Sequence, residues 1–141
     1  MTLAVNNETT LAEVNAAFRR YETALGENNV ADLNMLFWIS PHAVRYGAAE
    51  ILCGFDEIAA FRAGRPSLRL QREIFGTVIT TFGKDFATAS TLFRRQSAPG
   101  KLGRQMQTWV RMAEGWRIVA AHVSFMDDAD GMAGGRHEQR A

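Results

Sequence analysis

Residues 69–126 read RLQREIFGTVITTFGKDFATASTLFRRQSAPGKLGRQMQTWVRMAEGWRIVAAHVSFM, and their punctuation decides the fold. Runs rich in β-branched, aromatic and threonine residues are cut by short turn-forming clusters: Gly83-Lys84-Asp85, Ser97-Ala98-Pro99-Gly100 and Ala113-Glu114-Gly115. This spacing predicts four long strands, over 69–82, 86–96, 102–112 and 116–126, with no helix between them. Consecutive strands of that kind form an antiparallel meander, and such a sheet twists and curls.

Upstream of the meander the period changes. Thr10 followed by Glu13 reads as a capping box. Leu11, Val14, Phe18, Tyr21 and Leu25 then recur at three- and four-residue steps, which is one apolar face of a helix ending at Gly26. A second short helix is expected over 32–38, before Ser40-Pro41. A short strand follows over 43–46, continued by or folded back onto 47–53. A third short helix begins after Gly54, with Ile58 and Phe61 on its buried face, and closes at Gly64-Arg65-Pro66. Helices first and a strand meander second is an α+β arrangement. The helices must cap one face of the curved sheet, which gives a cone with a ligand site at its mouth. The expected layout is one domain over 1–128 and a Gly-rich, polar, flexible tail over 129–141.

Composition narrows the function classes. The chain has 141 residues, 47% hydrophobic and 22% charged, which suits a globular protein. No apolar run reaches the ~18 residues of a membrane-spanning helix, and residues 1–7 have no leader pattern. Cys53 is the sole cysteine, which rules out an intrachain disulfide and a Cys-based zinc site. A cytoplasmic protein is expected. A net charge of +1 gives no reason to expect nucleic acid or membrane as partner. Of the 16 basic residues only Lys84 and Lys101 are lysine; the rest are arginine, whose planar fork grips carboxylates.

Several side chains stand out. Tyr21 lies on the apolar stripe of the first helix, so its hydroxyl points inward and wants a partner. Arg45 lies between Val44 and Tyr46 in a strand; if buried, it meets an internal carboxylate or waits for an anionic ligand. Arg62, Arg65 and Arg104 are further candidates for anion binding. Alternation puts Trp116, Ile118, Ala120, His122 and Ser124 on one face of the last strand and Arg117, Val119, Ala121, Val123 and Phe125 on the other. His122 and Ser124 make the first set the better pocket wall, and His122 a candidate general acid or base. In the second set the apolar residues Val119, Ala121, Val123 and Phe125 suit a homodimer interface. On the preceding strand Gln105, Gln107, Trp109 and Arg111 share a face; alternation leaves open which faces are concave. The chain lacks a phosphate loop, an HExxH and a nucleophile elbow, so neither metal nor cofactor is expected.

The order of elements resembles the nuclear-transport-factor-2-like, or SnoaL-like, superfamily. More specific stretches resemble its AtzH/HpxZ family: Val44-Arg45-Tyr46-Gly47, Phe61-Arg62-Ala63-Gly64-Arg65-Pro66, Thr80-Thr81-Phe82-Gly83 and Gly103-Arg104-Gln105-Met106-Gln107-Thr108-Trp109-Val110-Arg111. The resemblance implies a role in the breakdown of small urea-like compounds, in cyanuric acid (s-triazine) or oxalurate catabolism. It implies a cofactor-independent amidohydrolase that converts 1,3-dicarboxyurea to allophanate with decarboxylation. The alternative is a non-catalytic accessory or ligand-binding module of an amidase-signature hydrolase and its small subunit. By position the resemblance puts the important tyrosine at Tyr21 and the important arginine at Arg45. On this reading Arg45 binds a substrate carboxylate and Tyr21 serves the urea carbonyl or the leaving nitrogen. Arg65 or Arg104 takes the second carboxylate, Trp109 and Phe37 form apolar walls, and Gln107, His122 and Ser124 complete the binding set. A homodimer or higher homo-oligomer is expected.

Overall fold

The computed structural model describes residues 2–65 and 71–128. Its elements run α1 (Glu8–Gly26), α2 (Val30–Leu36), β1 (Val44–Tyr46), β2 (Ile51–Cys53), α3 (Phe55–Ala63), β3 (Glu73–Phe82), β4 (Phe86–Arg94), β5 (Lys101–Met112) and β6 (Gly115–Asp127). Pro66 and the first residues of the strand expected from 69 lie outside the described residues, as does the tail expected over 129–141. Among the described residues no helix is long and apolar enough to cross a membrane.

The strands form one curved six-stranded sheet in the order β2-β1-β6-β5-β4-β3, with the helices on its inner face. The four-strand meander is as expected. Residues 47–53 fold back as a hairpin, Tyr46 opposite Ile51, and so add β2. β1 runs parallel to β6, whereas β1–β2 and the pairs of the meander are antiparallel.

Helix α1 starts earlier than the capping box predicts. Asn7 is its cap: the Asn7 side-chain oxygen accepts hydrogen bonds from the Thr10 amide and hydroxyl, both at 3.1 Å. Thr10 thereby becomes a buried residue of the first turn. Val14, Phe18, Tyr21 and Leu25 face the core as their spacing requires. Helix α2 also starts early, because Asn29 caps it by accepting from the Asp32 amide. It stops before Phe37, which turns extended and bridges Ile118 of β6. In α3 the buried pair is Ile58 and Arg62, one turn apart, while Phe61 is partly buried beside them.

The last strand overturns simple alternation. Thr108 pairs with Ala120 but Trp109 pairs with Ile118, so Val119 is an extra residue, a bulge in β6. Beyond a bulge every side chain changes face. Trp116 and Ile118 face the helices, and then Ala121 and Val123 do so. His122 is exposed on the outer face instead. The apolar set that alternation assigns to a homodimer interface is therefore largely core: Ala121 and Val123 are buried, and Phe125 packs edge-on against Phe93 at 5.5 Å.

Candidate active site

The inner face of the sheet is built in rows. Arg45 of β1 pairs with Ala121 of β6, Ala121 with Gln107 of β5, and Gln107 with Ala89 of β4. Strands lie about 4.8 Å apart, so the two alanines leave a shallow floor between and beyond the long side chains of Arg45 and Gln107. The next row holds Val123, Gln105 and Thr91, and the one after it Phe125, Gly103 and Phe93. A Cβ on Gly103 would meet the Phe93 ring at 2.2 Å, so glycine there lets the ring lie flat over β5.

Arg45 is 8% exposed. One nitrogen, Nη1, donates to Glu50 Oε1 at 3.1 Å across the β1–β2 hairpin. The carboxylate reaches it by folding over Gly47, where a Cβ would lie 1.6 Å from Glu50 Oε1. Arg45 Nε is buried with no partner, so an internal carboxylate satisfies only part of the guanidinium. Arg62, at 2% exposure, stacks 4.3 Å over the Phe37 ring. The Tyr21 side chain lies beside it, and its Nη1 has no partner. Burial pushes its pKa down to about 10, with the like charges of Arg45 and Arg65 adding to the effect and Tyr21 opposing it. Arg65 shares the Phe61 ring with Arg45, at 5.4 and 5.7 Å. Burial and then Arg45 hold its pKa below the ordinary arginine range.

A second arginine pair lies against different rings. Arg72 sits 4.3 Å over Phe93, forms a two-nitrogen ion pair with Glu22 of α1, and donates to Gln105 Oε1 at 2.9 Å. Arg95 lies 5.1 Å from the Phe93 ring and 5.3 Å from that of Phe125. Burial lowers its pKa, and the charges of Arg72, Arg65 and Arg45 lower it further. Arg72 and Arg95 also line a cleft of about 860 Å³, so this end of the arginine group opens outward.

Among the described residues, six of the unpartnered buried side-chain atoms lie on these arginines and on the glutamines of β5. They are Arg45 Nε, Arg62 Nη1, Arg65 Nε, Arg95 Nε, Gln105 Nε2 and Gln107 Nε2, all donors. The two amides are oriented by their neighbours: Trp109 Nε1 donates to Gln107 Oε1 at 3.0 Å, and Arg72 takes Gln105 Oε1. Among the described residues, five guanidinium groups here face two carboxylates, Glu50 and Glu22. Buried donors without acceptors are costly, and an anion rich in acceptors is the kind of ligand that offers them partners.

The structure thus brings together Tyr21, Arg45, Arg65, Gln107, Trp109 and Phe37. Trp109 and Phe37 are fully buried, so they support the site from behind. It does not bring in Arg104, His122 or Ser124. Arg104 Nε donates to Ser124 Oγ at 3.2 Å on the outer face, and His122 packs edge-on against Tyr46 there. The residues of this region that the sequence reading did not name are Arg72, Arg95, Glu22 and Glu50. The run Ala87, Ala89, Thr91, Phe93 continues by parity to Arg95, and that was the available signal. Among the described residues, no three acidic, histidine or cysteine side chains are grouped to hold a metal ion.

A family model described as AtzH-like matches residues 3–129. A protein of unknown function from Pectobacterium atrosepticum SCRI1043 shares 59% identity and superposes with a TM-score of 0.84, over 87% of this chain and 95% of the other. A cystatin-like fold protein from Burkholderia xenovorans LB400 shares 48% identity with a TM-score of 0.85, over 89% and 98%. At 15% identity, an NTF2-like protein from Pseudomonas putida KT2440 shares the fold, with a TM-score of 0.73 over 88% and 92%. No curated protein matches the chain.

Proposed function

The chain belongs to the AtzH-like family, and from that premise we propose that it is a cofactor-independent amidohydrolase that converts 1,3-dicarboxyurea to allophanate in s-triazine nitrogen catabolism. The observation that carries this reading is a group of six buried unpartnered donors, four of them on arginines, on the inner face that Tyr21 also faces. A small planar ureide with carboxylate ends is an acceptor-rich partner of that shape.

In this reading Arg45 and Arg65 bind a carboxylate through charge-assisted hydrogen bonds. Gln107 Nε2, an unpartnered donor in the row of Arg45, donates to the urea carbonyl. The bond between one nitrogen and its carboxylate carbon breaks, and the electron pair stays on nitrogen. That nitrogen takes the Tyr21 proton. The carboxylate leaves as carbon dioxide, which water hydrates to bicarbonate. Arg62 holds the Tyr21 phenolate until water reprotonates it. The sum is dicarboxyurea plus water giving allophanate plus bicarbonate. N-carboxylated ureas lose carbon dioxide readily, so fixed donors and a positioned proton suffice as machinery.

The outer sheet face favours a second reading. Tyr46, Met106 and Met126 are 43%, 61% and 43% exposed there. Such a face suits a partner, either a second copy of this chain or an amidase-signature hydrolase for which the chain is an accessory module. The test is to follow freshly generated 1,3-dicarboxyurea by carbon NMR with the purified chain alone. Allophanate appearing faster than in the enzyme-free control supports catalysis. No rate above that control removes the enzyme reading and leaves the accessory one.

A further inference from the structure

The arginines fall into two groups on separate aromatic platforms. Arg45 and Arg65 share the ring of Phe61, and Arg62 lies on Phe37 beside Tyr21. Arg72 and Arg95 share the ring of Phe93, and Arg95 also touches Phe125. Between the groups runs the floor of Ala121, Gln107 and Gln105. Each group carries one internal carboxylate, Glu50 in the first and Glu22 in the second. Glu22 is committed to Arg72 through both of its oxygens. Among the described residues Arg95 is therefore the cation of the second group without a carboxylate, and its buried Nε has no partner.

We propose that Arg95 is the specificity-determining residue for a second carboxylate, so that the site selects short dianions over monoanions. This deepens the reading above and rests on it for the identity of the dianion. Arg65 does not serve the second end, because it stands on the same ring as Arg45. Arg72 does not, because Glu22 and Gln105 already occupy it. Arg72 instead positions Arg95 by filling the Phe93 face and by like-charge repulsion. Gly103 is what lets Phe93 lie where both guanidinium groups can use it.

The test measures binding, so that it does not depend on turnover. Malonate and glutarate are titrated into the protein by calorimetry, with acetate and butyrate as monoanions of matching size. The wild-type protein is expected to bind the better dicarboxylate at least tenfold more tightly than its monoanion. Arg95→Gln is expected to cut that ratio to within about twofold while leaving monoanion affinity in place, and Arg95→Lys to restore part of it. Arg45→Ala should weaken both classes. A ratio unchanged in Arg95→Gln overturns the proposal, as does equal loss for both classes or a wild-type protein that does not distinguish them. If dianions bind as expected while 1,3-dicarboxyurea is not turned over, the inference stands and the catalytic reading falls.

Discussion

The Arg62 guanidinium lies 4.3 Å above the ring of Phe37 in the interior, and no carboxylate among the described residues pairs with it. A folded chain keeps such a charge at a cost. Replacing buried charge with an apolar side chain of similar volume is often stabilising, by about 1–4 kcal/mol. Arg62→Met is therefore expected to raise the melting temperature by several degrees, at about 2–4 °C per kcal/mol for a chain of this size. The same variant should lose anion binding and turnover at least tenfold. A fall in melting temperature would show that Arg62 is a structural cation.

Tyr21 sits on α1 with its side chain beside Arg62, at 2% exposure. Tyr21→Phe keeps the ring and its contact with Phe37. Turnover should fall by about 100-fold, the usual scale of a positioned proton donor, with the far-ultraviolet spectrum unchanged. Equal turnover in the variant would remove the hydroxyl from the reaction.

On the proposed reading Glu50 and the substrate carboxylate share Arg45. Glu50 holds Nη1 at 3.1 Å and is not otherwise required for the core, its side chain being 24% exposed. Glu50→Gln removes that counter-charge and keeps the shape. Carboxylate inhibitors should bind several-fold more tightly to Glu50→Gln than to wild type. Weaker binding would mean that Glu50 contacts the ligand through a proton or a water.

His122 and Arg104 lie across the sheet from Tyr21, the first against Tyr46 and the second on Ser124. His122→Ala and Arg104→Ala should each leave kcat/KM within about twofold of wild type, as surface substitutions remote from a site do. A tenfold loss in His122→Ala, with the protein still folded, would move the chemistry to the outer face.

The fold was largely legible because the turn clusters at 83–85, 97–100 and 113–115 are strong local signals, and the strands between them are long. The inward stripe of α1, hence Tyr21, followed from spacing alone, and Arg45 from its apolar neighbours. Two things were not legible. The bulge at Val119 has no residue signature: it is set by how β6 pairs with Thr108 and Trp109, yet it moves His122 and Ser124 out of the site. The counter-ions were also hidden, because Glu50 and Glu22 reach Arg45 and Arg72 through a hairpin and across 50 residues of chain. Arg62 was visible as a candidate cation, but its burial depended on the one-turn step from Ile58, which Phe61 masked.

The central claim is that Arg45, with a buried nitrogen that has no partner, holds the carboxylate of a ureide that this chain itself turns over. It is tested most directly by the initial rate of allophanate formation from fresh 1,3-dicarboxyurea with wild type and Arg45→Ala, each against the enzyme-free rate. Wild type should exceed the spontaneous rate. Arg45→Ala should lose at least about tenfold in kcat/KM, the loss of one charge-assisted contact worth about 1.5–3 kcal/mol. An Arg45→Ala protein as active as wild type would contradict the account.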